Sequence, residues 1–363
     1  MFLFLIFIIC LVLSLIFTKL VINLAWRWQI LDYPNSAVRK IHKKPTPLLG
    51  GLAIYLTYAF GSFFSIMWLG NFFDGAILPK YLFGILLGAL IIVIGGFLDD
   101  KYNFKPKHQI LFPILAALVV IICGLGIKYI SNPFGQAWFL DSWRILLFNF
   151  FGWPYYLSVW VDLLTFTWLL GLMYSAKLLD CSDGLLSGVT VISAVVISVM
   201  SLRPDLNQPT LATLAVILAG SFAGFLIFNW HPAKIFLGES GSLLSGFLLG
   251  CLAILAGSKI TTTLLVMGLL VIDMIWVIIQ RIKAGQSPFL GDRRHLGHRL
   301  LALGWSQQKV AGFFYFISLA FGYSALVLPR PAKIFSLLFL ILVVLIIEIW
   351  TQRQSDLLVQ EKK

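Results

Sequence analysis

The chain has 363 residues, 60% of them hydrophobic and 12% charged, with a mean hydropathy of +0.95. That balance excludes an ordinary soluble domain and makes lipid the main solvent of the fold. The net charge of +12 does not indicate nucleic acid, because the cations sit in short loops between apolar runs, where a membrane-orienting bias puts them.

A bilayer core about 30 Å thick needs roughly 20 apolar residues per helix, and continuous apolar runs specify helices where alternating ones would specify barrel strands. On that scale the sequence predicts an all-α polytopic bundle of about eleven spans. They run approximately over Phe2–Leu24, Leu48–Leu69, Tyr81–Leu98, Ile110–Ile127, Leu157–Ala176, Leu185–Leu202, Thr210–Asn229, Gly241–Gly257, Ile260–Gln280, Val310–Leu328 and Lys333–Trp350. The first run lacks a basic leader and a small-residue cleavage site, which predicts a retained helix. Lys128–Tyr156, rich in Trp, Phe, Gly and Pro, is too interrupted to span and is expected at the outer interface. Cys10, Cys123, Cys181 and Cys251 form no CxxC pair and read as reduced thiols. No repeat or linker divides the chain, so residues 1–363 read as one membrane domain with a short tail from about 351.

Alternate loops sort by charge. Arg27, Arg39, Lys40, Lys43, Lys44, Lys101, Lys105, Lys107, Lys177, Lys234, Arg281, Lys283, Arg293, Arg294, Arg299 and Lys309 fall on one side. That side is expected to face the cytoplasm, which with an odd number of spans leaves the N-terminus outside and the C-terminus inside. Asp99, Asp100, Asp180, Asp183, Glu239 and Asp292 share the same loops. Orientation signals use Lys and Arg and leave carboxylates free, so this second asymmetry needs its own cause, and a metal with phosphates would supply one.

Adjacent Asp99 and Asp100 repel each other unless a cation is near. Asp180 and Asp183, three apart in Leu179–Asp180–Cys181–Ser182–Asp183–Gly184, share a face if the turn is helical and could share a divalent cation. In Phe236–Leu237–Gly238–Glu239–Ser240–Gly241–Ser242 small residues precede a span, whose positive end suits phosphate. Gly291–Asp292–Arg293–Arg294–His295–Leu296–Gly297–His298–Arg299 offers guanidinium forks and titratable donors that suit phosphates, with a surface anchor for anionic lipid as the less favoured alternative. Asp162, Asp273 and Glu348 lie within or at the ends of spans. Asp273 is expected to pack against polar groups of another helix, and Asp162 and Glu348 to reach water.

In this order the pieces resemble the polyprenyl-phosphate N-acetylhexosamine-1-phosphate transferases, glycosyltransferase family 4. The resemblance rests on Arg39–Lys40–Ile41–His42 with Pro45–Thr46–Pro47 and Gly50–Gly51, Gly96–Phe97–Leu98–Asp99–Asp100, Asp180–Cys181–Ser182–Asp183–Gly184, Asn229 with Pro232–Ala233, the Gly238–Ser242 run, and Asp292–Arg293–Arg294–His295 with His298. The spaced histidines look more like the N-acetylglucosamine-1-phosphate branch than the muramoyl-pentapeptide branch.

The resemblance implies transfer of a sugar-1-phosphate from a UDP-N-acetylhexosamine to undecaprenyl or another polyprenyl phosphate, at the cytoplasmic face of the inner or plasma membrane. It implies catalytic Asp99, Asp100, Asp180 and Asp183, with Asp99 deprotonating or orienting the lipid phosphate, and magnesium, or manganese, at Glu239 and Asp183. Substrate contacts would come from Lys43, Lys44, Thr46, Lys107, Lys177, Asn229, Phe236, Arg293, Arg294, His295 and His298, with Asp183, Asn229 and Phe236 at the uridine. Partners would be the two substrates and the bilayer, not nucleic acid; a homodimer is a further expectation. The chain also departs from the family pattern: Glu239 stands for an Asp, Lys177 and Tyr174 for asparagines, Gln109 for a Lys and Gly297 for a His. A protonated lysine cannot ligate a metal, but it could neutralise a diphosphate and offset the cation missing at position 109. A non-catalytic scaffold of the same fold and a membrane transporter are the rival readings.

Overall fold

The structure is a computed structural model that describes residues 2–34, 44–69, 72–73, 77–130, 136–150, 153–257, 260–286 and 294–360. In chain order the elements are α1 (Phe2–Trp28), β1 (Leu31–Asp32), β2 (Thr46–Pro47), α2 (Gly50–Leu69), α3 (Pro79–Tyr102), α4 (Pro106–Gln109), α5 (Leu111–Ile122), β3 (Tyr129–Ile130), β4 (Trp138–Phe139), β5 (Ile145–Phe150) and β6 (Trp153–Leu157). There follow α6 (Val159–Leu179), α7 (Leu185–Ser201), α8 (Pro209–Asn229), α9 (Gly238–Leu255), α10 (Ile260–Lys283), α11 (Leu296–Ala302), α12 (Gln307–Val327) and α13 (Arg330–Gln360).

Among the described residues nine helices are long and apolar enough to cross a membrane, and two shorter apolar helices, Pro106–Ile122 and Leu185–Ser201, fill the remaining expected positions. The chain is thus a polytopic helical membrane protein whose spans fall where the apolar runs put them. Three details differ from expectation. The interrupted segment after α5 folds into two antiparallel ribbons, β3–β4 and β5–β6. The basic loop before α12 contains the short helix α11. Finally, α13 continues to Gln360 rather than ending near Trp350.

Local chemistry sets the helix ends. Proline stands in the first turn of α3, α4 and α8, where its missing N–H costs nothing. Asn103 closes α3 in the left-handed region at φ 49°, its N–H donating to the Asp99 carbonyl. Gly184, at φ 73°, takes a conformation costly for other residues and separates α6 from α7.

The innermost helix is α9, whose span is 89% buried; α1 and α13, at 28% and 22%, form the lipid-facing periphery. Around α9 pack α2, α3, α6, α7, α8 and α10. Close approach is possible because glycines line the contacts: a Cβ on Gly51 would stand 2.5 Å from the Gly241 nitrogen, one on Gly96 2.3 Å from the Ser240 nitrogen, and one on Gly246 2.3 Å from the Leu172 carbonyl oxygen. Small residues let membrane helices meet backbone to backbone. Here they bring the starts of α2 and α9 against the end of α3, and α9 against α6.

Candidate active site

The site forms where the end of α3, α4, the end of α6 and the start of α9 meet. Gln109 on α4 donates from Nε2 to both carboxylate oxygens of Asp99, at 3.0 and 3.2 Å, and its Oε1 accepts from Lys177 Nζ at 3.3 Å. Lys177 Nζ stands 2.5 Å from Glu239 Oε1 and 5.7 Å from the centre of the Tyr174 ring. The Glu239 N–H in turn donates to Asp100 Oδ1 at 3.1 Å. One line of contacts therefore runs Asp99, Gln109, Lys177, Glu239, Asp100, joining residues up to 140 positions apart in the chain. Asp100 caps the positive end of α9 from a neighbouring helix, a stabilising place for a carboxylate. Its Oδ2 is buried and has no hydrogen-bond partner among the described residues.

The second acid pair diverges. The expectation that Asp180 and Asp183 share a helical face fails because α6 ends at Leu179 and the chain turns through Gly184. Asp183 turns inward: its Oδ2 accepts from the Ala233 N–H at 3.1 Å and lies 2.7 Å from His231 Nδ1, while its own N–H donates to Gln307 Oε1. Asp180 faces solvent, with no hydrogen-bond partner for its carboxylate among the described residues. Protein nonetheless crowds its recess. That desolvation, ahead of the charges of Asp183 and Glu239, pushes its carboxyl up to about 7. Its open face screens part of the penalty.

Asn229 is buried and fully engaged, accepting from Gly184 N–H and Ser187 Oγ and donating to the Ile235 carbonyl. It rivets the Asp183 turn to the end of α8. Tyr315 adds to the same turn, donating to the Gly184 carbonyl at 2.5 Å. Half-buried Phe236 joins the Thr46–Gly51 strip by backbone bonds: its N–H donates to the Pro47 carbonyl, and its carbonyl accepts from Gly50. Thr46 is buried, its hydroxyl on the Lys44 carbonyl, and Lys44 is exposed. Lys107 is exposed on α4, two residues before Gln109.

The histidine loop is split. His295 is turned inward, 3% exposed, with Nδ1 2.9 Å from Asp273 Oδ2 while the Leu296 N–H donates to Asp273 Oδ1. Asp273 thus packs against polar groups of another helix as expected, and its partner is a residue expected at the phosphates. Arg294 donates to Gln286, and His298 is half-buried. Gly297 lets α11 approach the acidic turn, since a Cβ there would meet Cys181 Sγ at 2.4 Å. Glu348 does not reach water; it is fully buried against Arg299, since an isolated charge in lipid is too costly. Asp162 caps its own helix by accepting from the Ser158 N–H. Lys43, Arg293 and the Arg39–His42 segment lie outside the described residues.

His231 and Gln307 were missed in the sequence. Both contact Asp183, but His231 is isolated among apolar and small residues, and Gln307 lies in the polar run Ser306–Gln307–Gln308–Lys309, which opens α12 and carries no sign of a partner 124 positions away. Gln109 was noted as a departure, but its bridging role could be seen only once α4 and α6 were side by side.

Against this geometry, a match to the family profile "Glycosyl transferase family 4" spans residues 82–257, from α3 through α9. Over 346 residues the chain is 32% identical to the probable undecaprenyl-phosphate N-acetylglucosaminyl 1-phosphate transferase of Bacillus subtilis (strain 168), covering 94% of this chain and 88% of that protein. The chain belongs to glycosyl transferase family 4. Another member, the decaprenyl-phosphate N-acetylglucosaminephosphotransferase of Mycobacterium leprae (strain TN), is 30% identical over 82% of this chain and 76% of its own. The phospho-N-acetylmuramoyl-pentapeptide-transferase of Desulforamulus reducens is 30% identical over 77% and 80%. Similarity to the N-acetylglucosamine branch thus extends over more of the chain, in keeping with the spaced histidines.

A family 4 enzyme implies magnesium, expected here at Glu239 and Asp183. These residues do not fit it as they stand. Glu239 is paired with an ammonium, Asp183 is engaged by His231 and the Ala233 N–H, and no three His, Cys, Asp or Glu side chains among the described residues group closely enough to hold a metal ion.

Proposed function

We propose that the chain transfers N-acetylglucosamine-1-phosphate from UDP-N-acetylglucosamine to undecaprenyl or a similar polyprenyl phosphate, at the cytoplasmic face of the membrane, as the first step of lipid-linked cell-wall or surface-glycan synthesis. The observation that carries this reading is the line of contacts from Asp99 to Asp100, which leaves Asp180 as an open carboxylate beside it. Relatives that act on polyprenyl phosphates support the lipid acceptor.

A phosphate oxygen of the lipid attacks the sugar-linked phosphorus, the bond from that phosphorus to the bridging oxygen breaks, and the electron pair leaves with UMP. One phosphoanhydride replaces another, so the protein has a barrier to lower and little free energy to supply. Positioned charge does most of that work. Asp180 is the group suited to accept the proton of a singly ionised lipid phosphate, because a base is most effective when its pKa lies near the working pH. Asp99, expected in that role, already accepts hydrogen bonds on both oxygens and serves instead to hold Gln109 and, through it, Lys177.

The test is release of UMP by the purified chain from UDP-N-acetylglucosamine, with and without undecaprenyl phosphate. Release that requires the lipid supports the transferase. No release with any UDP-N-acetylhexosamine would leave a non-catalytic scaffold as the better reading.

A further inference from the structure

The centre of the site already holds a cation. Lys177 Nζ lies 2.5 Å from Glu239 Oε1 and 3.3 Å from Gln109 Oε1, and the Tyr174 ring flanks it at 5.7 Å. An ammonium has three donors. Two are used by Glu239 and Gln109, and the side chain keeps a quarter of its surface exposed, so the third can reach a ligand oxygen. Helix packing enforces this placement: Lys177 is in the last turn of α6 and Glu239 in the first turn of α9, and Gly246 holds those helices in backbone contact.

A divalent cation at the same carboxylate would need several oxygen ligands at about 2.0–2.1 Å in near-octahedral array. It would have to displace the ammonium or sit against a like charge. Of the neighbouring acids, Asp99 is committed to Gln109 and the Phe104 N–H, Asp100 Oδ1 to the start of α9, and Asp183 Oδ2 to His231 and Ala233, while Asp180 and Asp100 Oδ2 stay open among the described residues; what stands against a metal at Glu239 is the ammonium already paired with it.

We infer that the Lys177 ammonium is the built-in counter-charge of this site, taking the place of a divalent metal at Glu239 and donating to the diphosphate of the sugar nucleotide. The inference rests on the transferase reading and deepens it: positive charge at the breaking bond comes from a side chain, and turnover does not need a metal. A lysine here for structural purposes only would tie α6 to α9 without altering the metal requirement.

The experiment uses the full chain in detergent. UMP release is measured from UDP-N-acetylglucosamine and undecaprenyl phosphate in excess EDTA and in excess Mg²⁺. Mn²⁺ uptake by nucleotide-free protein is followed by electron paramagnetic resonance. Wild type is expected to turn over in EDTA to within about threefold of its rate in Mg²⁺, and to take up no stoichiometric Mn²⁺. Lys177→Asn should lose about a hundredfold in EDTA, recover with Mg²⁺, and bind Mn²⁺ tightly. Lys177→Arg, which keeps the charge, should remain resistant to EDTA at a lower rate, and size-exclusion profiles exclude misfolding of either variant. Wild-type turnover abolished by EDTA and restored by Mg²⁺, or stoichiometric Mn²⁺ on wild type, overturns the inference and leaves the transferase standing. No UMP release under any condition removes the transferase reading, and the inference with it.

Discussion

Asp180 is the residue whose behaviour separates chemistry from architecture. Crowding raises its carboxyl from the usual 3.8 to about 7, so the folded chain holds a proton that the unfolded chain has released. Stability from this group is therefore full below about pH 4 and is lost as the pH climbs through about 7. Asp180→Asn removes the titration, so its melting temperature should gain on wild type as the pH rises from 5 to 8, while turnover falls by about 10²- to 10⁴-fold. Thermal scans on tryptophan emission and a UMP assay at each pH check both arms. A constant difference in melting temperature across that window would show that the recess does not hold the proton. Asp99, Asp100 and Asp183 differ from Asp180 in being held by protein donors. The sequence marked all four acids and gave the base's role to Asp99, whereas the proposed role of Asp180 depends on which donors the folded chain brings to each acid.

Among elements, the contact of α2, α3 and α9 fixes the relative position of the acids. Gly96→Ala would put a methyl group 2.3 Å from the Ser240 backbone nitrogen, which neither helix can yield without moving. A cost of about 1–3 kcal/mol in stability is expected from such overpacking, with a fall in turnover because Asp100 would no longer meet the start of α9. Gly171 in α6 has nothing within 4 Å of an added Cβ, so Gly171→Ala should instead stabilise by about 0.5–1 kcal/mol and leave turnover intact. Paired melting and rate measurements decide the point; equal effects of the two substitutions would refute the proposed packing. The positions of these helices were readable from apolar run lengths. Gly50–Gly51 and Gly96 were marked in the sequence through their motifs, but not as contacts, since a glycine signals close approach only when its neighbour is known. The β-ribbons after α5 were invisible because that segment's frequent Trp, Gly and Pro break any period. Helix α11 was hidden by its charges: its inward side is set by His295 and Arg299 meeting buried Asp273 and Glu348, which a hydrophobic pattern does not record.

At the scale of the molecule, every acid of the candidate site lies at the same end of the bundle, reached by helices that alternate in direction, while the β-ribbons after α5 stand at the end from which α6 sets out. The proposed orientation, with the acid end toward the cytoplasm, rests on charge: Lys101, Lys105, Lys107, Lys177, Lys234 and Lys309 all belong to that end, and short basic loops tend to be retained inside. Thiol labelling tests this directly. Cys10, Cys123 and Cys251 are buried, and burial, ahead of the charges of Asp273 and Asp180, pushes the Cys181 thiol up, so the native cysteines give little background. Exposed Arg144, in the turn before β5, and exposed Lys107, on α4, report the two ends. In right-side-out vesicles a membrane-impermeant maleimide should label Arg144→Cys at once and Lys107→Cys only after permeabilisation. The reverse order would put the acids outside, away from any cytoplasmic pool of sugar nucleotide, and the proposed reaction would lose its donor even though the contacts around Lys177 were intact.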